Sequence, residues 1–482
     1  MASHQQGKIL KVLLWILAVS AALGIAVFAA VAIYNAFDED LSADAKAMLA
    51  PPPMGAIDDK NGYIAFLGMV APQGQDQMDW GRKAAAAYTA QAQPGFTWSP
   101  EWKAATQSHI KGVDAGKAWE KWCAPETRDC LAEAKRNGAA VAKTLADGDN
   151  ALLLARYRKA RTGAAFTDLY LGTNPAALIP RYFALTAGSA LSLAENSVKL
   201  HAGDLDAVVA ELEREVAFHR RIIAGGRSIF PVTIGTILLA RDLLTISELL
   251  RSGEVRVAPY RVRLSALTRP QISATALQPA LLNEAHNSVT LGHRIRTILR
   301  DNGGWVPSND ISNNLSPLRN WAQSLLARPN ETANLIAANA KLEASIAGVP
   351  AEQFDRTVEE IRVTTDALLV RPWYAEARNP VGKEMAEAAV IDFGPYVARM
   401  HDLQALERMV DLQMTLAARG ITDSAAMAAY IADKGATSHA DPYTGKAFAF
   451  DPEKRLLSFE PRAKGRWSGD LKKRYGKVGI VL

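Results

Sequence analysis

The chain has 482 residues, 49% of them hydrophobic, enough to bury one large core or two moderate ones. Charged residues at 22% and aromatics at 7% exclude a wholly disordered chain. A formal net charge of +5 is too mild to argue for a nucleic-acid partner, and none is expected.

Residues 12–34, VLLWILAVSAALGIAVFAAVAIY, run for 23 residues without a charge. About 20 apolar residues suffice to cross the hydrocarbon core as a helix. Lys8 and Lys11 precede this stretch, and Asp38, Glu39 and Asp40 follow it. The positive-inside rule therefore predicts residues 1–11 in the cytoplasm and everything after Tyr34 across the membrane. Ala30-Val31-Ala32 offers the competing reading of a cleaved signal peptide. The apolar run is longer than a signal core of about 7–15 residues, which favours a retained single-pass transmembrane anchor.

Residues 35–60 are polar and contain Pro51-Pro52-Pro53, the pattern of an extended tether. The folded body is predicted over 61–435, opening on NGYIAFLGMVAPQGQD. Early in it, Trp98, Trp102, Trp119 and Trp122 fall within 25 residues, the pairs at i,i+4 and i,i+3. Exposed, such indoles stack on sugar rings and form a ligand or partner surface. Buried, they anchor the first lobe, which is the commoner fate.

Cys123 and Cys130, in CAPETRDC, are the two cysteines of the chain. In an oxidising compartment they are expected to close a small disulfide loop, worth about 2–3 kcal/mol in a chain-entropy model. The spacing is not C-x-x-C, and two thiols alone do not make a zinc site.

Helical periodicity dominates from about Arg82. In GDLDAVVAELEREVAFHRRIIAGG, residues 203–226, an apolar stripe joins Leu205, Val208, Val209, Leu212, Val216 and Ile223, with Glu211, Glu213, Arg214 and Arg220 off it. HAGD before it reads as a tight helix–helix turn, and IFPVTIGTILLARDLLTISELL after it as a central helix. Further helices are predicted over 271–300, 315–327, 352–370, 384–419 and 422–434. The polar segment 301–314 is a loop and a possible lobe boundary. Long helices joined by short turns, with no fixed repeat, predict a mainly α protein: an irregular array or bundle of antiparallel helical hairpins.

Residues 436–482 change character. In ADPYTGKAFAFDPEKRLLSFEP, Asp-Pro turns flank alternating aromatics, a β-hairpin pattern with a four-residue loop. The expected clasp comprises Asp441, Pro442, Tyr443, Gly445, Phe448, Phe450 and Asp451, with Leu456 and Phe459 packing beside it. Gly445-Lys446 is no phosphate loop, since Ala447 stands where Ser or Thr must ligate magnesium. The basic end, PRAKGRWSGDLKKRYGKVGIVL, reads either as an arm for acidic partners or as a solvated tail closing on a short apolar strand.

No catalytic set assembles in the sequence. His286 and His293 share a helix face but stand about 10.5 Å apart along the axis. Their same-face neighbours Leu282, Val289 and Thr290 do not complete a zinc site. His219, with Glu215 one turn away, reads as a satisfied core histidine. Ser108-His109-Ile110-Lys111 matches S-x-x-K, but neither S-D-N nor K-T-G follows. No catalytic, cofactor-binding or metal-binding residue is therefore expected.

The NGYIAFLGMVAPQGQD segment, the Cys123/Cys130 pair followed by Leu131, GDLDAVVAELEREV, RNPVGKEM, ARMHDLQALERMVDLQMTLAARG and DPYTGKAFAFD resemble, in that order, a loosely described group of membrane-anchored periplasmic helical proteins of Gram-negative bacteria. The landmarks run from about residue 61 to 451 and bring no catalytic residues. The resemblance implies an inner-membrane anchor through residues 12–34 and a periplasmic body. The expected role is a non-enzymatic scaffold or accessory subunit that contacts an envelope protein or a second copy of itself. The alternative is an envelope enzyme acting on glycan or lipid, with a loop-borne site near Trp98–Trp122 or 301–314.

Overall fold

The computed structural model describes residues 2–50, 55–90, 130–169, 180, 182–252, 257–301, 316–369, 377–389, 392–463 and 478–482. The protein is mainly helical with one small antiparallel sheet. The helices are α1 (Ala2–Tyr34), α2 (Ala43–Leu49), α3 (Gly62–Leu67), α4 (Gln77–Ala90), α5 (Cys130–Arg136), α6 (Gly138–Ala146) and α7 (Gly148–Arg161). They continue with α8 (Phe183–His201), α9 (Leu205–Gly225), α10 (Ile229–Ser252), α11 (Val257–Thr268), α12 (Gln278–His293), α13 (Ile295–Asp301) and α14 (Ser316–Leu326). The last are α15 (Pro329–Ser345), α16 (Phe354–Leu369), α17 (Pro380–Ala388), α18 (Gly394–Ala418) and α19 (Ser424–Ser438). Strands β1 (Ala449–Asp451), β2 (Leu456–Phe459) and β3 (Val478–Val481) complete the order.

The chain divides into two compact units. Unit 1 holds residues 1–51, 285–342 and 361–391, and unit 2 holds 52–284, 343–360 and 392–482. Both are discontinuous in sequence. The 301–314 loop lies, apart from Asp301, outside the described residues.

Unit 2 is built on α10 and α18. α10 packs against α9 and α18, the central position that its apolar composition predicts. Residues 229–251 are long and apolar enough to cross a membrane, yet 72% of the window is buried inside the protein. α10 also buries Arg241, Asp242 and Glu248. The Glu248 carboxylate accepts the backbone N–H groups of Leu131 (2.9 Å) and Ala132 (2.8 Å), capping the first turn of α5. Aromatic residues fill the space between α3, α7 and α9. Tyr63 meets Phe166 edge-on at 5.6 Å, and Phe218 meets both Phe166 and Tyr157 in the same way.

In unit 2, β1 and β2 pair antiparallel, with Asp451 opposite Leu456. The expected hairpin gains a third strand, because Val478–Val481 pairs with β2. Both faces of β2 are buried, Leu457 and Ser458 included, whereas Phe450 is half-buried rather than packed inside.

Unit 1 contains α1, whose residues 11–34 form an apolar stretch with a mean hydropathy of 2.7 and none of the window buried. The segment after α1 differs from the expected tether. Asn35 is fully buried. Its amide donates to the carbonyls of Val31 and Ala377, both at 2.8 Å, and its Oδ1 accepts the Asn379 N–H at 2.5 Å. The Asp38 carboxylate accepts the N–H groups of Asn330 (2.7 Å) and Glu331 (3.1 Å) at the start of α15. Asn334 binds Glu39 and Asp40, and Lys341 reaches Asp44 at 2.9 Å. Asp38 and Glu39 are thus engaged by a helix cap and polar partners and Asp40 through its carbonyl, and α2 folds onto a small core that includes Val289, Ala333 and Ile336. The expected spacer is part of the fold up to at least Leu49.

Candidate functional site: a basic groove over a buried polar chain

The site lies in unit 2, where α7, α8 and α9 meet. α8 ends at His201, and Gly203 takes the left-handed conformation with φ +80°. The Asp204 N–H then bonds back to Lys199 O at 3.0 Å, while the Asp204 side chain accepts the Ala207 N–H at 3.1 Å to start α9. HAGD is the tight reversal that its composition predicts. It brings the α8 and α9 faces together. On α8, a side chain at Gly188 would stand 2.5 Å from the Tyr157 ring, so glycine lets α7 approach closely.

Beneath the surface runs a chain of polar side chains. His219 of α9 has no exposed surface. Its Nδ1 lies 2.6 Å from Asp242 of α10, and its Nε2 lies 3.1 Å from the Tyr157 phenol oxygen. The Tyr157 hydroxyl, also fully buried, donates to Glu215. The phenol proton is committed to Glu215, and the two imidazole nitrogens face Asp242 and Tyr157. Arg161 joins the other Glu215 oxygen at 2.5 Å and Glu211 at 2.6 Å. Glu211 is bound in turn by Arg214 at 2.6 Å and by the Ser192 hydroxyl at 3.1 Å.

The electrostatics of the site reflect this wiring. Burial pushes the Glu215 carboxyl up despite Arg161 beside it. Burial acts the same way on Glu211, but Arg161 and Arg214 together bring it down to about 2. Burial, then Glu215, drives the Tyr157 phenol well above its usual range. The phenol remains a donor.

Above the chain lies an open groove of about 820 Å³. Its walls carry Arg158, Arg161, Lys199, Arg214 and Arg221 against Glu211 and Glu213. Arg158 and Lys199 share Glu195, and Glu213 is held by Arg263 at 2.7 Å. Arg221 donates to the Arg161 carbonyl at 2.7 Å and lies over the Phe218 ring, with no carboxylate partner among the described residues. Burial, then the neighbouring Arg161, lowers its pKa. An anion in the groove would therefore meet one guanidinium, that of Arg221, without a carboxylate partner among the described residues.

Sequence reasoning saw part of this. His219 is a satisfied core histidine, as expected, but its partners include Tyr157 and Asp242 from two other helices. Glu211, which lies off the apolar stripe of α9, is nevertheless buried. The reason is that α9 packs on α8 as well as on α10, so more than one face is covered. The legible signal was the i, i+4, i+8 series of Glu211, Glu215 and His219.

The other expected residues lie elsewhere. Trp98, Trp102, Trp119, Trp122, Cys123, Ser108 and Lys111 are outside the described residues, while Cys130 is buried at the start of α5. His286 lies in unit 1 with its Nδ1 2.6 Å from the Met48 carbonyl. Among the described residues, no group of three or more His, Cys, Asp or Glu is placed to hold a metal ion. Asp441, Pro442, Tyr443 and Gly445 form a closed turn, with the Asp441 N–H bonded to Lys446 O at 2.8 Å and Gly445 at φ +64°. Phe448 packs edge-on against Phe459 at 6.4 Å, and Asp451 accepts the N–H groups of Glu453 and Lys454 at 3.1 Å.

Comparison with protein-family models, with curated proteins and with solved structures gave no match.

Proposed function

We propose that this chain is a non-enzymatic scaffold or accessory subunit of a cell-envelope assembly. α1 holds it in the inner membrane, with the N-terminus cytoplasmic and an irregular array of antiparallel helical hairpins in the periplasm. The groove between α7, α8 and α9 takes an acidic segment of an envelope protein.

The groove carries this reading. Five cationic side chains line it against two carboxylates, and Arg161 is fixed from below by Glu211 and Glu215. Tyr157 and His219 have no exposed surface, so the polar chain supports the groove wall rather than reaching a substrate. Retention of α1 is supported by Asn35, which ties the helix end at Val31 to Ala377 and Asn379. Lys8 and Lys11 on one flank of the apolar stretch, and acidic residues on the other, support the orientation.

The test is photo-cross-linking in intact membranes from a probe at Ala217, an exposed position on the groove wall. A discrete adduct with one envelope protein is expected, lost in an Arg214→Glu/Arg221→Glu variant that keeps its helical circular dichroism. An uncross-linked, monodisperse chain, or an adduct indifferent to both arginines, would overturn the proposal. A C-terminal reporter active only in the cytoplasm would overturn the topology.

A further inference from the structure

A surface helix of a water-soluble body turns its apolar residues inward. In unit 1, α14 does the reverse. Leu318 and Trp321 are 64% and 52% exposed, and Leu325 continues their stripe at half burial. Asn320 and Ser324, one turn apart on the adjoining face, are buried. Residues at i, i+3 and i+7 share one face, so the outward stripe is continuous.

The position of this stripe identifies what covers it. α1 packs against α14. Within residues 11–34, the partly buried positions are Phe28, Val31 and Ala32, all near the end of the apolar stretch and on one face. Phe28 precedes Tyr34 by about 9 Å along the helix axis, at 1.5 Å per residue. With Tyr34 at the membrane surface, the partly buried Phe28, Val31 and Ala32 are at lipid depth, and α14 is a helix that packs on α1. Amphipathic helices lying in the interface bury their apolar face about 5–10 Å, which matches.

Two further observations agree. Phe37, three residues past Tyr34, is 76% exposed. Arg294 and Arg319, beside α13 and on α14, are exposed, and side chains of this length can reach lipid phosphates while their stems lie along apolar surface. Nor can unit 1 swing away from the helix end, because Asn35 and Asp38 are bonded into it.

We infer that unit 1 is seated in the bilayer surface beside α1, with Leu318, Trp321 and Leu325 of α14 and Phe37 at the headgroup–acyl boundary. This rests on the reading of α1 as a retained anchor and goes beyond it, since an anchor with a spacer would leave the body in water.

The experiment uses the full chain in vesicles of phosphatidylcholine and phosphatidylglycerol, brominated near the headgroup end or near the middle of the acyl chain. Bromine quenches nearby indoles. The difference between wild type and Trp15→Phe isolates Trp15 in α1, and that between Trp15→Phe and Trp15→Phe/Trp321→Phe isolates Trp321. Both indoles are exposed in the structure, so neither change disturbs packing. Trp321 is expected to lose emission to the shallow bromines and to be less affected by the deep ones. Quenching of Trp15 with Trp321 unaffected would overturn the inference and leave the anchor standing. If Trp15 is not quenched either, the anchor reading itself fails.

Discussion

The Tyr443 phenol donates a 2.7 Å hydrogen bond to the carboxylate of Asp402, a residue with no exposed surface in the middle of α18. The same carboxylate accepts the backbone N–H groups of Arg462 at 3.1 Å and Ala463 at 3.0 Å. The Arg462 guanidinium lies over the Tyr443 ring at 4.7 Å. One buried acid thus gathers the Asp441–Lys446 turn and the segment leaving β2, and fixes both to the central helix of unit 2. Burial pushes its pKa up to about 6, against the pull of Tyr443 and the two N–H donors.

Tyr443→Phe is expected to destabilise unit 2 in a pH-dependent way. A native carboxyl raised above its unfolded value gives most stability below about pH 4, and that contribution is lost as pH rises through about 6. Removing the phenol raises the native value further. Above pH 6, where the charged acid loses a donor, the cost is about 1.5–3 kcal/mol, and near pH 4 it falls to about 1 kcal/mol. Urea unfolding at both pH values measures this. Equal losses would show that Asp402 does not depend on the hydroxyl.

How much of this was legible depends on which interactions are local. Helix periodicity, the Gly203 reversal and the hairpin depend on residues near one another in sequence, and the predicted 315–327 and 422–434 segments coincide closely with α14 and α19. Segments whose polar residues are spent on distant partners were misread. Residues 35–50 looked like a spacer because the partners of Asp38 and Asn35 lie about 290 to 340 residues away. α15 was missed for a related reason, since its small and polar sequence, PNETANLIAANAKLEAS, carries only a weak apolar stripe. The groove was invisible because its arginines come from two helices and stand more than 50 residues apart across them, and spacing within one helix does not reveal them.

Arg161 compensates two buried carboxylates, so Arg161→Met should cost about 3–5 kcal/mol, the effect of leaving a buried charge unpaired. Adding Glu215→Gln removes the carboxylate left without a cation, since Glu211 keeps Arg214. The double variant should recover part of the loss. Chemical denaturation of the single and double variants gives the comparison, and strictly additive losses would mean that the two groups do not share an ion pair in solution.

Gly188→Ala tests the approach of α7 to α8. The new methyl would stand 2.5 Å from Tyr157 ring carbons and must displace the ring from its position against Glu215 and His219. Overpacking of this kind costs about 1–3 kcal/mol, more than the helix-propensity gain of about 1 kcal/mol from replacing glycine. A higher melting temperature for the variant would contradict this packing.

Glu407 supplies a pH test at a second point on α18. It is fully buried, with Arg220 at 3.1 Å, yet burial outweighs this pairing and raises its pKa to about 7. The ionised form is therefore the less favourable one in the native state, and stability falls as pH rises from about 4.5 to 7. Glu407→Gln keeps the shape and removes the charge. Relative to wild type, the variant should be more stable at pH 8 than at pH 5 by about 2 kcal/mol, given the shift and 1.36 kcal/mol per pKa unit. Asp402 and Glu343, both raised by burial, titrate in wild type and variant alike, so the difference between the two proteins isolates Glu407. A difference that does not change with pH would mean that Glu407 is ionised at little cost, and that Arg220 and its surroundings solvate the charge well enough to cancel burial.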